Sequence, residues 1–210
     1  MLRQGLVVFC MMVVLCSCYR EYRPHPALPQ RHETVCLLPS FENDASLPFV
    51  WYLDGILRVS VTLPNVGEML LTSVVDEIHS LGFTTKLGSS DREIVEDPEC
   101  DYFMGFGIKE PSPAQQEVRP PGGTYKNNET SLYSFSVIQM DLTNVTFVRI
   151  KDMQTLAEDE VFFTDPLKIP DYYHRKDPWL TDEFAFYTPL IQIGVHAVVE
   201  AYFRDRLHLI

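Results

Sequence analysis

The stretch PNVGEMLLTSVVDEIHSLGFTTKL, residues 64–87, carries the clearest secondary-structure pattern in the chain. Its apolar residues recur at helical spacing and form one stripe, namely Leu70, Leu71, Val74, Val75, Ile78 and Leu81. Asn65 and Glu68 have the spacing of a capping box, which predicts where the helix starts, and Gly82 suits the left-handed position after its end. The β-prone residues that follow Gly82 predict a returning strand.

Segments on both sides of this helix have strand-like patterns. Strands are predicted at 34–38, within 49–63, and at 82–87, 100–109 and 160–164. Two further runs, 133–142 and 145–150, predict a hairpin that turns at Thr143 and Asn144. The acidic run 91–99, the proline- and glycine-rich run 111–128 and the segment 165–184 are predicted to be loops or irregular.

A second helix is predicted near the end of the chain, from Pro189 to Leu207. Its apolar residues form the buried set Leu190, Ile193, Val195, Val198, Val199, Tyr202 and Phe203. The fold class is therefore α+β. We expect a single domain with a mostly antiparallel or mixed sheet, a helix after an early strand and a C-terminal helix packed on one face.

The composition limits the classes of partner. The chain has 210 residues and a formal net charge of −12, with 46% hydrophobic and 12% aromatic residues. An acidic surface repels nucleic acid and anionic headgroups, so nucleic-acid binding is not expected. The apolar content is that of a folded protein, and the length suits one domain.

The N-terminus has the three-part layout of a secretory signal. Arg3 is followed by an uncharged apolar run from Leu6 to Cys16, which is too short to span a bilayer as a helix. The ending Leu15-Cys16-Ser17-Cys18 resembles the lipobox of bacterial lipoproteins. This resemblance implies a signal peptide over 1–17 and acylation of Cys18. A plain secretory signal without a lipid is the alternative.

Residues 18–32 are predicted to be a lipidated cysteine followed by a tether, because three prolines and scattered charges disfavour a helix or a central strand. The folded domain then covers 33–210. By resemblance to the enterobacterial sorting rule, Tyr19 in place of Asp favours the periplasmic face of the outer membrane.

Two cysteines, Cys36 and Cys100, remain outside the signal and the lipidation site. An even pair in an exported protein is a candidate disulfide. The alternative is that both are buried free thiols.

The sequence shows no motif for catalysis or for metal binding. None of the six histidines has metal-ligand spacing with another ligand, so neither a metal nor a cofactor is expected. His196 and Glu200 have helical i,i+4 spacing and predict a surface hydrogen bond. An acidic group at 152–165 lacks the spacing of an EF-hand loop and is interpreted as a solvated face.

One aromatic cluster is a candidate binding surface. It includes Tyr172, Tyr173 and Trp179, which either contact a ligand or partner or cover the core.

The overall layout resembles that of small bacterial envelope lipoproteins and, more loosely, the auxiliary lipoproteins of outer-membrane transport and assembly. The resemblance rests on the lipobox, the tether and the Cys100-Asp101-Tyr102 strand after the helix. It implies a non-catalytic accessory or assembly factor that acts through a protein partner in the cell envelope. The alternative is a small-molecule or lipid carrier with a pocket between sheet and helices. A hydrolase is less favoured because no nucleophile–base pair is recognised.

Replacing Cys18 with Ser removes the only sulfur that the lipobox places at the acylation position. We predict that Cys18→Ser abolishes metabolic labelling with a radioactive fatty acid and releases the domain from membranes. Cys16→Ser, two positions earlier, is the control and keeps the label. Continued labelling of Cys18→Ser would contradict the lipoprotein prediction.

Overall fold

The computed structural model describes residues 24–53, 57–109, 137–165, 167–168 and 183–210. Its strands are β1 (Thr34–Pro39), β2 (Leu47–Leu53), β3 (Leu57–Leu63), β4 (Thr84–Leu87), β5 (Tyr102–Lys109), β6 (Val137–Ile138), β7 (Asp141–Arg149), β8 (Gln154–Phe162) and β9 (Leu167–Lys168). Its helices are α1 (Gly67–Ser80), α2 (Asp91–Glu96) and α3 (Glu183–Ala201), and α3 continues in a π-helical turn at Tyr202–Arg206.

Five of the strands form one mixed sheet in the order β4-β1-β5-β7-β8. β1 is parallel to both β4 and β5, whereas β5, β7 and β8 are successively antiparallel. β2 and β3 pair as a separate antiparallel hairpin, and β6 pairs with β9. The α+β prediction with a mixed sheet is confirmed.

Helices α1 and α3 pack on each other and on one face of this sheet. Val35 and Leu37 of β1 and Met104 of β5 are fully buried on that face, in the same core as the predicted helix residues. Phe203 lies between the layers, with ring centroids 5.5 Å from Phe83 and 5.6 Å from Phe147. The apolar stripes predicted from the sequence therefore do face the core.

The capping box predicted at the start of α1 is wrong. Asn65 has a left-handed φ of 55°, and the helix is capped by Val66 without a side-chain hydrogen bond. The start is set by backbone contacts instead, because the Val66 N–H donates to the Ala45 carbonyl at 2.9 Å. A Cβ on Gly67 would lie only 2.0 Å from the Glu42 carbonyl oxygen, so only glycine permits this approach.

The hairpin turn predicted at Thr143 and Asn144 is also wrong. β7 runs through both residues, and the left-handed φ of 47° at Asn144 lies where its register against β5 shifts. Asn144 therefore marks a β-bulge rather than a turn. The true turn follows β7, as a 3₁₀ turn at Ile150–Asp152 that ends with Met153 in the left-handed conformation.

Two boundaries differ from the prediction. The acidic run expected to be a loop contains α2, because the Ser90 side chain accepts from the Glu93 N–H at 3.3 Å and caps the helix. Helix α3 begins at Glu183, so Pro189 lies inside it rather than at its start.

Cys36 and Cys100 form a disulfide, with Cα atoms 5.7 Å apart, which confirms the predicted pairing. The bond joins β1 to the residues just before β5. It packs with Ile94 of α2 in a small apolar cluster separate from the main core. The disulfide therefore joins the neighbouring strands β1 and β5 on the face of the sheet that is covered by α2.

Reduction of this disulfide is predicted to lower the free energy of unfolding by up to about 4 kcal/mol, because it closes a long loop. The sequence separation is 64 residues. The measurement is urea unfolding of the protein with and without reductant, together with Cys36→Ala/Cys100→Ala, which should match the reduced protein. Alkylation of either thiol without prior reduction would contradict the pairing.

Candidate functional site

A buried carboxylate between two histidines is the most distinctive polar feature of the described residues. Glu77 on α1 is only 5% exposed. Its Oε1 lies 2.7 Å from Nε2 of His25, and its Oε2 lies 2.8 Å from Nδ1 of His196. We call His25, Glu77, His196 and the neighbouring Glu200 the Glu77 cluster.

The positions of these side chains follow from the helix packing. Glu77 lies on the buried face of α1, between the fully buried Val74 and Ile78. Because α1 packs against α3, that face places the carboxylate opposite His196 and near Glu200. A buried carboxylate needs compensating partners, and α1 itself supplies none with a positive charge.

The third element of the site is the segment 24–31, which lies along the end of α1. Its Leu28 N–H donates to the Ser80 carbonyl at 2.7 Å, and its Arg31 N–H donates to the Gly82 carbonyl at 2.6 Å. The Arg31 guanidinium carbon lies 4.7 Å from the centre of the Phe83 ring. Residues that the sequence assigns to a tether are thus bound to the domain, and they bring His25 to Glu77.

Gly82 has two roles at this junction. Its φ of 90° is the left-handed conformation predicted for the end of the helix. The N–H groups of Gly82 and Phe83 donate to the carbonyls of His79 and Ile78, which completes a Schellman motif. A Cβ on Gly82 would lie 2.4 Å from the Pro29 carbonyl oxygen, so the glycine also allows segment 24–31 to approach.

The cluster raises the pKa of His25 above its ordinary value of 6.5. Burial is the largest single influence and acts to lower this pKa. It is outweighed by the hydrogen bonds to the Pro26 carbonyl and to Glu77, together with the negative charges of Glu77 and Glu200. The protonated imidazolium of His25 is therefore favoured beside Glu77.

The cluster does not form a nucleophilic triad. Ser80 Oγ lies 3.2 Å from Nε2 of His25, but Glu77 contacts the same nitrogen, whereas a triad uses the two ring nitrogens separately. The hydroxyl of Ser80 donates to the Glu77 backbone carbonyl at 2.7 Å. Its proton is therefore directed away from the histidine.

The structure places Glu200 differently from the sequence prediction. Its carboxylate accepts from Arg204 rather than from His196, which binds Glu77 instead, so the predicted surface pair is wrong. One ligand atom each from His25, Glu77 and Glu200 lies within 4.8 Å of the others. Three residues with metal-binding side chains therefore meet here, although no histidine has metal-ligand spacing along the chain.

Sequence reasoning missed this cluster because its members are far apart in the chain. His25 and His196 lie 52 and 119 residues from Glu77. The sequence feature that could have indicated the cluster was the position of Glu77, a carboxylate among the apolar residues of the buried face of α1. Among the sequence-predicted site residues, Cys36 and Cys100 form the disulfide, whereas Cys18, Tyr172, Tyr173 and Trp179 lie outside the described residues.

Comparisons with known proteins assign no family to the chain. No family model matches it, and a search of the curated proteins finds no match. Among solved structures, it is similar to protein XCC0632 from Xanthomonas campestris, which carries the family label DUF330. The TM-score is 0.42 at 13% identity, over 86% of this chain and 87% of that chain. No helix in the described ranges has the length and hydropathy needed to cross a membrane.

The raised pKa of His25 makes the attachment of segment 24–31 depend on pH. Stabilisation by the His25 imidazolium is fully present below about pH 6.5 and is lost as the pH rises through the higher pKa of the folded state. We predict that His25→Gln, in metal-free buffer, costs about 1 kcal/mol at about pH 5.5 and much less at about pH 8.5. The measurement is urea unfolding at both pH values.

His32→Gln is the matched control, since His32 is exposed and is not a member of the Glu77 cluster. The His32→Gln substitution should have the same small effect on the free energy of unfolding at both pH values. A cost of His25→Gln that grows with pH would contradict the assignment of the charge to His25.

Proposed function

We propose that this chain is a lipid-anchored protein of the bacterial cell envelope that acts without catalysis, through contact with a protein partner. The observation that carries the proposal is the outer edge of the five-stranded sheet. β8 has nine residues, and within the part of the chain that the structure describes it has a neighbour only on the β7 side. The other edge strand, β4, has four residues.

The β8 edge has the properties of a surface that pairs with an extended segment of another protein. An edge strand presents unpaired N–H and C=O groups, and partners bind such edges by adding a strand. Large apolar residues are exposed at both ends of β8, with Met153 57% exposed before it and Phe163 65% exposed after it. These two side chains offer apolar anchors on either side of the backbone hydrogen bonds.

The charge of the strand defines the partner further. Glu158 and Glu160 are both exposed on β8. Acidic residues on an edge strand discourage two copies of the same chain from pairing there. They also favour a partner segment that carries Lys or Arg together with apolar residues.

The attachment of segment 24–31 supports the anchored part of the proposal. The chain from Cys18 to Pro24 can span at most about 20 Å. A lipid on Cys18 would thus hold the α1 end of the domain close to the membrane. Because β4, which follows α1, and β8 are opposite edges of the sheet, the β8 edge lies about 19 Å across the sheet from the anchored side.

The filled interior favours a protein-contact role over the carrier alternative. Rings of Phe83, Phe147 and Phe203 lie between sheet and helices with centroids 5.5 and 5.6 Å apart, where a carrier would need its cavity. The non-catalytic part of the proposal is supported by the geometry of Ser80, whose proton is not directed to His25.

Site-specific photocrosslinking in cells tests the proposal. We predict that a photoreactive residue at Thr155 or Val161 gives one crosslinked product of the same size from both positions, because both lie along the β8 edge. The same residue at Asp76, exposed on α1, is the matched control and should not give that product.

The substitutions Glu158→Lys and Glu160→Lys together should lower the yield of that product about tenfold, because the charge complementarity is reversed. A product of equal yield from Asp76, or no product from any β8 position, would contradict a partner at this edge.

A further inference from the structure

We propose that His25, Glu77 and Glu200 bind one divalent transition-metal ion, with Zn²⁺ as the ion for the test. The three residues come from segment 24–31, α1 and α3. One ligand atom of each lies within 4.8 Å of the other two. Around a bound Zn²⁺ these atoms would be about 3.4 Å apart, so small side-chain rotations complete the site.

The hydrogen bond of His25 to a backbone carbonyl determines which of its ring nitrogens is free to bind a metal ion. Its Nδ1 lies 2.9 Å from the Pro26 carbonyl oxygen, and since a carbonyl can only accept, Nδ1 carries a hydrogen. In the neutral ring, Nε2 then presents a lone pair. A histidine that donates one N–H to a backbone carbonyl and offers its other nitrogen is the arrangement typical of metal ligands.

Two oxygen atoms lie within hydrogen-bond distance of this nitrogen. Nε2 of His25 faces Glu77 Oε1 at 2.7 Å and Ser80 Oγ at 3.2 Å. The hydroxyl hydrogen of Ser80 is used by the Glu77 backbone carbonyl, so the Ser80 oxygen is also an acceptor toward His25. With a neutral His25 and an ionised Glu77, three acceptors converge on one point. Either a proton between His25 and Glu77 or a metal ion would satisfy them.

His196 has a different role, because it satisfies Glu77 without a charge. Its Nδ1 lies 2.8 Å from Glu77 Oε2, and the neutral ring can donate a hydrogen there. This bond leaves Oε1 directed at His25. His196 is thus a positioning residue that orients the ligating carboxylate.

Glu200 supplies the second carboxylate. One of its oxygens accepts from Arg204, which also donates to Asp205. Two carboxylates and one imidazole, with the single positive charge of Arg204 shared with Asp205, leave a net negative charge that a dication would compensate. Nitrogen and carboxylate oxygen ligands together suit Zn²⁺, Mn²⁺ or Fe²⁺.

Proton and metal compete for the same nitrogen. The charged and titratable groups that face His25 are Glu77 from α1 and Glu200 from α3, with His196 and Arg204 behind them. A metal ion can bind Nε2 only when no proton occupies it. Zn²⁺ binding should therefore weaken as the pH falls and should release protons from whatever fraction of His25 is protonated.

The experiment is isothermal titration of the full chain, purified in detergent without a polyhistidine tag, with Zn²⁺ at about pH 7.5. We expect one ion per chain. Glu200→Gln and His25→Gln should each weaken binding at least about 100-fold, and His196→Gln about 10- to 100-fold as a positioning residue. His32→Gln is the matched control and should leave affinity unchanged.

Two further readouts keep the test independent of folding. Zn²⁺ should raise the unfolding temperature of the wild-type protein but not that of Glu200→Gln, whose half-buried side chain makes it the mildest ligand variant. The apparent binding enthalpy should vary with the ionisation enthalpy of the buffer, since a proton is released. Absence of one-to-one binding, or equal affinity in His25→Gln and His32→Gln, would overturn the proposal.

Discussion

The burial of the Glu77 carboxylate is the constraint around which the helical side of this domain is arranged. A carboxylate that is 5% exposed must be matched by partners, and the two that touch it come from distant parts of the chain. His196 joins it to α3, and His25 joins it to segment 24–31. The apolar stripes bring the two helices together without specifying one relative position, whereas hydrogen bonds to both carboxylate oxygens do specify it. One side chain thus contributes both to the packing of α1 against α3 and to the attachment of the N-terminal segment, alongside the apolar core and the backbone hydrogen bonds of Leu28 and Arg31.

The attachment of segment 24–31 connects this constraint to the proposed anchoring. Leu28 and Arg31 donate to carbonyls at the end of α1, and the absence of a side chain on Gly82 allows this approach. A domain joined to its lipid by a freely moving chain would sample many orientations. If Cys18 is lipidated as proposed, attachment at His25 would restrict them and would present the β8 edge away from the anchored side. The same histidine responds to pH and is the proposed metal ligand, so the state of the cluster would govern how firmly the domain is held.

Features that depend on residues close together in the chain could be predicted from the sequence, whereas features that depend on tertiary contacts could not. The stripe of α1 and the left-handed Gly82 were predicted correctly because neighbours along the chain decide them. The disulfide could be predicted because only two cysteines remained after the N-terminal region. Asn144 was misassigned because a left-handed asparagine serves a bulge and a turn equally well, and only pairing with β5 distinguishes the two. The capping box predicted for α1 was wrong because contacts with the backbone of a loop, rather than a side-chain cap, determine where the helix starts. The Glu77 cluster was out of reach for a related reason, since tertiary packing alone brings its members together.

His25 and His196 both bind the buried carboxylate of Glu77, and the imidazole nitrogen shifts of the two histidines would report this directly. Long-range ¹H–¹⁵N correlation spectra of the full chain in metal-free detergent solution report the protonation of each ring nitrogen as the pH is varied. We expect His25 to lose its Nε2 proton at a pH above the ordinary 6.5 and to keep its Nδ1 proton afterwards. We also expect His196 to carry a hydrogen on Nδ1. A His25 that titrates like a solvent-exposed histidine and becomes the Nε2–H tautomer would contradict these expectations.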